Sequence, residues 1–164
     1  SFFELDAEGN RQRAHFDGLP VDFIAESIAA LGAEVVDGFE TYHVMNPHDD
    51  GIGPDEYVDW LIEAGYPIQR IGDFGEWLQR FETALGALPD RQREHSVLQM
   101  LLLRPSEQFQ LPEPSFGSFA PTDRFRAAVQ GAKIGPDKDI PDIPHISAPI
   151  IIKYVKDLQL FGLL

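Results

Sequence analysis

Thirteen prolines and fourteen glycines divide the apolar residues of this 164-residue chain into short runs, so its fold is assembled from short elements that stop where these residues fall. After Pro20, which suits a first helical position, Val21, Ile24, Ala25, Ile28 and Leu31 recur at helical spacing until Gly32 ends the run. Pro54, with Asp55 and Glu56 behind it to complement the helix dipole, starts a second helical pattern through Tyr57, Val58, Leu61 and Ile62, with Gly65 past its end. Asp73 and Glu76 form a capping-box pattern ahead of a long stripe of Phe74, Trp77, Leu78, Phe81, Leu85 and Leu88. Pro89 and Asp90 restart the chain for a helix through Val97, Leu98, Leu101 and Leu102. Thr122 is placed to cap another through Phe125, Ala128, Val129 and Ala132, and Ser147 with Pro149 starts a last one through Ile151, Tyr154, Val155 and Leu158.

Strand signals are fewer. Residues 1–5 and 11–16 flank a turn-rich link and predict a hairpin, Phe39 to Met45 predicts a short strand, and Tyr66 to Ile71 a short extended segment. Residues 104–121, RPSEQFQLPEPSFGSFAP, hold four prolines and no helical period, and predict a long crossing loop pinned by its three Phe. The expectation is one α+β domain over residues 1–164, mainly helical with a few short strands, in which Trp77 belongs to the core and Trp77→Ala costs about 3–5 kcal/mol.

The segment 42–56, YHVMNPHDDGIGPDE, concentrates two histidines, four carboxylates and two glycines and is the first place to look for chemistry. As a calcium loop with Gly51 in sixth position it requires Glu at position 57, where Tyr57 stands. His43 and His48 are five apart across a proline, on no common helical face, and lack a third ligand. Gly51-Ile52-Gly53 lacks a third glycine, and its carboxylates repel phosphate. The segment therefore reads as a strand end, an Asn-Pro turn and an acidic helix start, with no metal site. No serine lies in a Gly-x-Ser-x-Gly elbow, and Tyr42, Tyr57, Tyr66 and Tyr154 are followed four residues later by Asn46, Leu61, Arg70 and Leu158, so the Tyr-x-x-x-Lys pair of short-chain dehydrogenases is absent. No catalytic, cofactor-binding or metal-binding residue is expected in this chain.

The net charge of −14 falls mostly on residues 1–60, where fourteen Asp and Glu face two Arg. Nucleic acid and anionic membranes are excluded as partners on that balance. The absence of cysteine removes disulfides, thiolate metal sites and a cysteine nucleophile and fits a cytoplasmic location. No apolar run approaches the roughly 20 residues of a membrane span. Ser1 in place of Met, inside an apolar stretch, is the beginning expected of a fragment.

The stretches HVMNPHDDGIGPDEYVDWLIEAGYPIQRI, WLQRFETALGALPDRQR, APTDRFRAAVQGAKIGPDKDIP and KYVKDLQLFGLL resemble the C-terminal part of the terminal thioester-reductase domain of bacterial carboxylic acid reductases, over nearly the whole chain. That family activates a carboxylic acid with ATP and Mg, loads it on a phosphopantetheine arm as a thioester and reduces it to an aldehyde with NADPH. Its reductase domain is similar to extended short-chain dehydrogenases, with a nucleotide-binding Rossmann half followed by a substrate-binding half. The resemblance implies that this chain is the substrate-side half, without the glycine-rich dinucleotide loop, inactive alone, and partnered by the upstream Rossmann half and a phosphopantetheine carrier domain. It further implies that His15, Phe16 and Asp17, ahead of the first helix, line the substrate cleft. A second reading from the residues is an autonomous acidic module that docks a carrier protein or a neighbouring domain.

Overall fold

The computed structural model describes residues 1–35, 37–90 and 115–164. Among these, five helices form: α1 Val21–Glu34, α2 Pro54–Glu63, α3 Phe74–Gly86, α4 Asp123–Gly131 and α5 Ala148–Leu160. Extended pairing among the described residues is limited to two single bridges, antiparallel Leu5–Arg11 and parallel Phe2–Ile71. The protein is mainly helical. The hairpin shrinks to one bridge around the turn at residues 6–10, where Asp6 Oδ1 accepts from the Glu8 and Asn10 N–H groups. Phe39 to Met45 forms no ladder; in its place His43 Nδ1 donates to the Pro121 carbonyl. The helix expected through Leu102 and the first part of the 104–121 crossing lie outside the described residues.

Helix ends differ from expectation in instructive ways. Pro20 sits one residue before α1 as its N-cap, and the helix continues through Gly32 to Glu34. A single interior glycine costs a helix only about 1 kcal/mol, which burial of Phe23, Ser27 and Leu31 on the opposite face outweighs. Thr122 and Ser147 occupy the expected N-cap positions of α4 and α5, but neither side chain makes a capping bond. Asp73 does: it accepts from the Glu76 N–H at 2.7 Å. After α4, Lys133 takes a left-handed conformation (φ 53). Its N–H reaches the Gln130 carbonyl and the next N–H, of Ile134, reaches Val129 at 3.0 Å, which closes the helix and drives Ile134 into the core.

The chain divides into two units. One combines Ser1–Gln12 with Ile68–Glu113. Its described part is organised by aromatic rings on α3 and the N-terminal segment: Trp77 stacks on Phe81 with centroids 5.1 Å apart and on Phe74 at 5.7 Å, and Phe2 meets Phe74 edge-on at 5.3 Å. Trp77 is half-buried, while Leu85 is the buried residue of α3. The core expectation for Trp77 is thus too strong, because its spacing puts it on the apolar stripe but at the margin of what covers the stripe. Trp77→Ala is expected to cost about 1–2 kcal/mol, against about 3–5 kcal/mol for an enclosed aromatic, as a urea titration followed by circular dichroism would read.

The other unit combines Arg13–Pro67 with Pro114–Leu164. Its core is Leu19, Phe23, Leu31, Phe125, Val129, Ile134 and Ile143. Phe125, edge-on to Phe23 with centroids 6.2 Å apart, is 1% exposed. Contacts join α1 to α4 and α2 to α5.

Candidate functional site

The His15–Asp17 segment enters α1 from an extended stretch whose backbone is held on both sides. The His15 N–H donates to the Ser115 carbonyl at 2.8 Å, and the Asp17 carbonyl accepts from the Asn46 N–H at 3.0 Å. Asn46, 1% exposed, also donates from Nδ2 to the Phe16 carbonyl at 3.1 Å and accepts the His48 N–H on Oδ1 at 3.0 Å. One amide side chain therefore clamps this segment to the start of the acidic loop. Just upstream, the Ala14 carbonyl approaches Gly53 so closely that a Cβ there would lie 1.9 Å from it. Only glycine fits.

The three side chains have different surroundings. The ring of His15 is nearly enclosed (3% exposed) and its Nε2 donates to Asp17 Oδ1 at 3.1 Å. Asp17 is 31% exposed, and its second oxygen accepts from the Phe119 N–H at 3.4 Å. Phe16 is 42% exposed, lies over Gly18, and meets Tyr57 edge-on at 5.7 Å. Phe16 and Asp17 present surface, and His15 is the buried support that orients the carboxylate. Phe116 (74% exposed) and Phe119 (91%) follow Ser115 on the segment that bonds to His15 and Asp17.

Around the acidic loop the side chains are engaged with one another. His48 and His145 stack with centroids 3.6 Å apart; His48 Nε2 donates to the Ile143 carbonyl at 2.7 Å, and His145 Nδ1 pairs with Asp50 Oδ2 at 2.6 Å. Burial raises the Asp50 pKa, but the bonds from His145 and from the Ile52 N–H outweigh it and hold the carboxyl below its ordinary value of 3.8. Burial, aided by the charge of Asp50, pushes Tyr57 up to about 12, so the phenol stays protonated. Its hydroxyl has no hydrogen-bond partner among the described residues. No cluster of three or more potential metal ligands forms among the described residues.

Asp142 accepts a two-point bond from Arg126, Nε to Oδ1 at 2.8 Å and the terminal nitrogen to Oδ2. That guanidinium is the main cause of its pKa lying below the ordinary 3.8. A depressed carboxylate stabilises the fold above its unfolded pKa and loses that contribution as pH falls through the folded value. Asp142→Asn is therefore expected to lower neutral-pH stability by about 0.5–1 kcal/mol, since the pair is partly exposed. Thermal melts of both proteins should converge as pH falls below 3.8, the Asp142 ordinary value.

The resemblance points to His15, Phe16 and Asp17 but not to Asn46, Tyr57 or Phe119, which come to the segment through contacts spanning 30 to 102 residues. Pro47, Pro54 and the glycines at 51 and 53 mark a turn next to Asn46, and the buried amide is legible in the sequence only as part of that turn.

No family model matches the chain. Along its whole length it is 72% identical to the isonitrile lipopeptide synthase of Mycobacterium tuberculosis and 68% identical to the carboxylic acid reductase of Mycobacterium marinum, of which it spans 7% and 13%. The crystal structure of the reductase (R) domain of a nonribosomal peptide synthetase from Mycobacterium tuberculosis superposes on 99% of this chain with a TM-score of 0.83 at 70% identity, and the chain spans 37% of that structure. Among the described residues no helix is long and apolar enough to cross a membrane. With identity this high along the whole chain, the chain belongs to the family of reductase domains found in carboxylic acid reductases and this peptide synthetase, and corresponds to a portion of such a domain.

Proposed function

We propose that this chain is the substrate-binding and structural part of an NADPH-dependent reductase that converts a carboxylic acid, activated with ATP and carried as a phosphopantetheine thioester, to an aldehyde. The observation that carries the reading is the 68% identity to a carboxylic acid reductase along the whole chain, with the fold of a reductase domain. Supporting it, Phe16 and Asp17 are held by Asn46, His15 and the Phe119 N–H in a fixed orientation while keeping exposed surface. A prearranged apolar and polar pair of this kind suits positioning of a thioester. The exposed Phe116 and Phe119 on the adjoining segment favour a covering domain over a free-standing acidic module.

Among the described residues, the helix starts weigh against a dinucleotide. Four of the five described helices carry a carboxylate in the first turn, Asp22, Asp55 with Glu56, Glu76 and Asp123, where a pyrophosphate would have to sit. The cofactor is assigned to the rest of the reductase, which supplies the hydride and the proton donor. The partners are that Rossmann half and a phosphopantetheine carrier, and this chain alone is inactive.

The test uses the intact reductase and a soluble thioester. Asp17→Ala should lower turnover at least about tenfold, through misplacement of the thioester, beyond the loss of about 1 kcal/mol of stability from leaving the buried His15 ring without its acceptor. A stable, fully active variant would remove the case for this segment as a cleft wall. Saturable NADPH binding by the isolated chain would overturn the division of labour.

A further inference from the structure

A cavity of about 550 Å³ lies in the second unit, apart from the His15–Asp17 segment, between the start of α1 and the stretch that leads into α5. Its volume is within the range of sites that hold small organic molecules. The walls are apolar: Phe23 from α1, Ile140 and Ile143 from the connecting stretch, and Ile150 from α5. Asp22, Glu26, Asp142 and His145 supply polar groups at its edge.

Those polar groups are not equivalent. Glu26 is bridged to Lys138 and Asp142 to Arg126, so two of the carboxylates are already neutralised. His145 is committed through Nδ1 to Asp50. Asp22 accepts from the Phe23 N–H on Oδ1 and makes no ion pair among the described residues. The cavity thus combines apolar walls with one carboxylate, Asp22, that makes no close ion pair among the described residues and only feels Lys153, which is itself bridged to Asp157.

We propose that this cavity is a binding site for a small organic amine, with its apolar body against Phe23, Ile140, Ile143 and Ile150 and its ammonium group on Asp22. An ammonium donates three hydrogen bonds and accepts none, which suits the Asp22 carboxylate as its partner. An anion of the same shape meets the charge of Asp22, and the neighbouring cations Lys138, Arg126 and Lys153 are already bridged to Glu26, Asp142 and Asp157. A neutral alcohol matches the walls but gains no ion pair. Charge therefore sorts ligands that apolar contact alone would accept equally.

The experiment compares three probes with one ring and different heads, benzylamine, benzyl alcohol and benzoate, titrated into the 164-residue chain with methyl-labelled isoleucines. Benzylamine should shift the Ile140, Ile143 and Ile150 methyl signals saturably, benzyl alcohol more weakly, and benzoate not at all. Asp22→Asn retains an oxygen for the Phe23 N–H, so it should fold normally. It should weaken benzylamine roughly fivefold and leave benzyl alcohol unchanged. Benzoate binding as tightly as benzylamine, amine shifts confined to other parts of the acidic surface, or an unchanged amine affinity in the Asp22→Asn protein would each overturn the proposal. So would the absence of saturable shifts with all three probes. None of these readings depends on reductase activity.

Discussion

Phe125→Ala should lower stability by about 3–5 kcal/mol, a large share of the 5–15 kcal/mol that holds an ordinary domain together. The ring is 1% exposed, edge-on to Phe23 and 6.3 Å from Tyr42 between centroids, so truncation empties a volume bounded by α1, α4 and the Tyr42 segment. These walls cannot close the gap readily, because Val129 and Ile134 on either side are themselves almost wholly enclosed. Urea unfolding followed by near-ultraviolet circular dichroism would read the loss. A Tm close to that of the parent would mean that the second unit does not rely on this ring.

Gly53→Ala is expected to cost about 3 kcal/mol or more. The backbone angle at Gly53 (φ −148) is extended and open to any residue, so conformational freedom is not the reason for glycine here. The reason is the Ala14 carbonyl, 1.9 Å from the site of a new Cβ. Backbone must move on one side, and Ala14 adjoins His15, so Asp17 and Phe16 should be displaced as well. Gly32→Ala is the matched contrast. It lies inside α1 with no atom within 4 Å of the added Cβ, and should stabilise by about 0.5–1 kcal/mol. Thermal melts of the two variants should move in opposite directions; a neutral Gly53→Ala would show that residues 14 and 53 separate freely.

Local chemistry explains why the helices were legible and the site was less so. Pro54, the acidic pair behind it, Gly65 (φ 92) and the Asp73–Glu76 pattern each act within one turn of chain, and the structure places helix ends at all of them. Lys133 in a glycine-like conformation carries no such mark, because the burial of Ile134 that compensates it is a tertiary effect. Phe39 to Met45 has strand-forming residues, but a strand also needs a neighbour, which spacing does not reveal. Trp77 illustrates the same limit: period locates its face, and only the surrounding rings decide how deeply it is buried. At the candidate site the segment was identifiable by resemblance, whereas the Asn46 clamp joins residues 30 apart and has no local signature. The family relationship was legible along the chain and is borne out by whole-length identity.

The second unit is built from two stretches, Arg13–Pro67 and Pro114–Leu164, separated in the chain by residues of the first. Phe23 and Leu31 therefore leave the ribosome long before Phe125, Val129 and Ile143, the residues that enclose them. At roughly 5–20 residues per second of synthesis, α1 and the Asn46 loop wait seconds with their apolar faces uncovered. His48 finds its carbonyl on Ile143 and Asp50 its ring on His145 only when the last quarter of the chain emerges, 95 residues later. Closing loops of that length is slow relative to local helix formation, so the early half stays open until the last stretch of the second unit arrives.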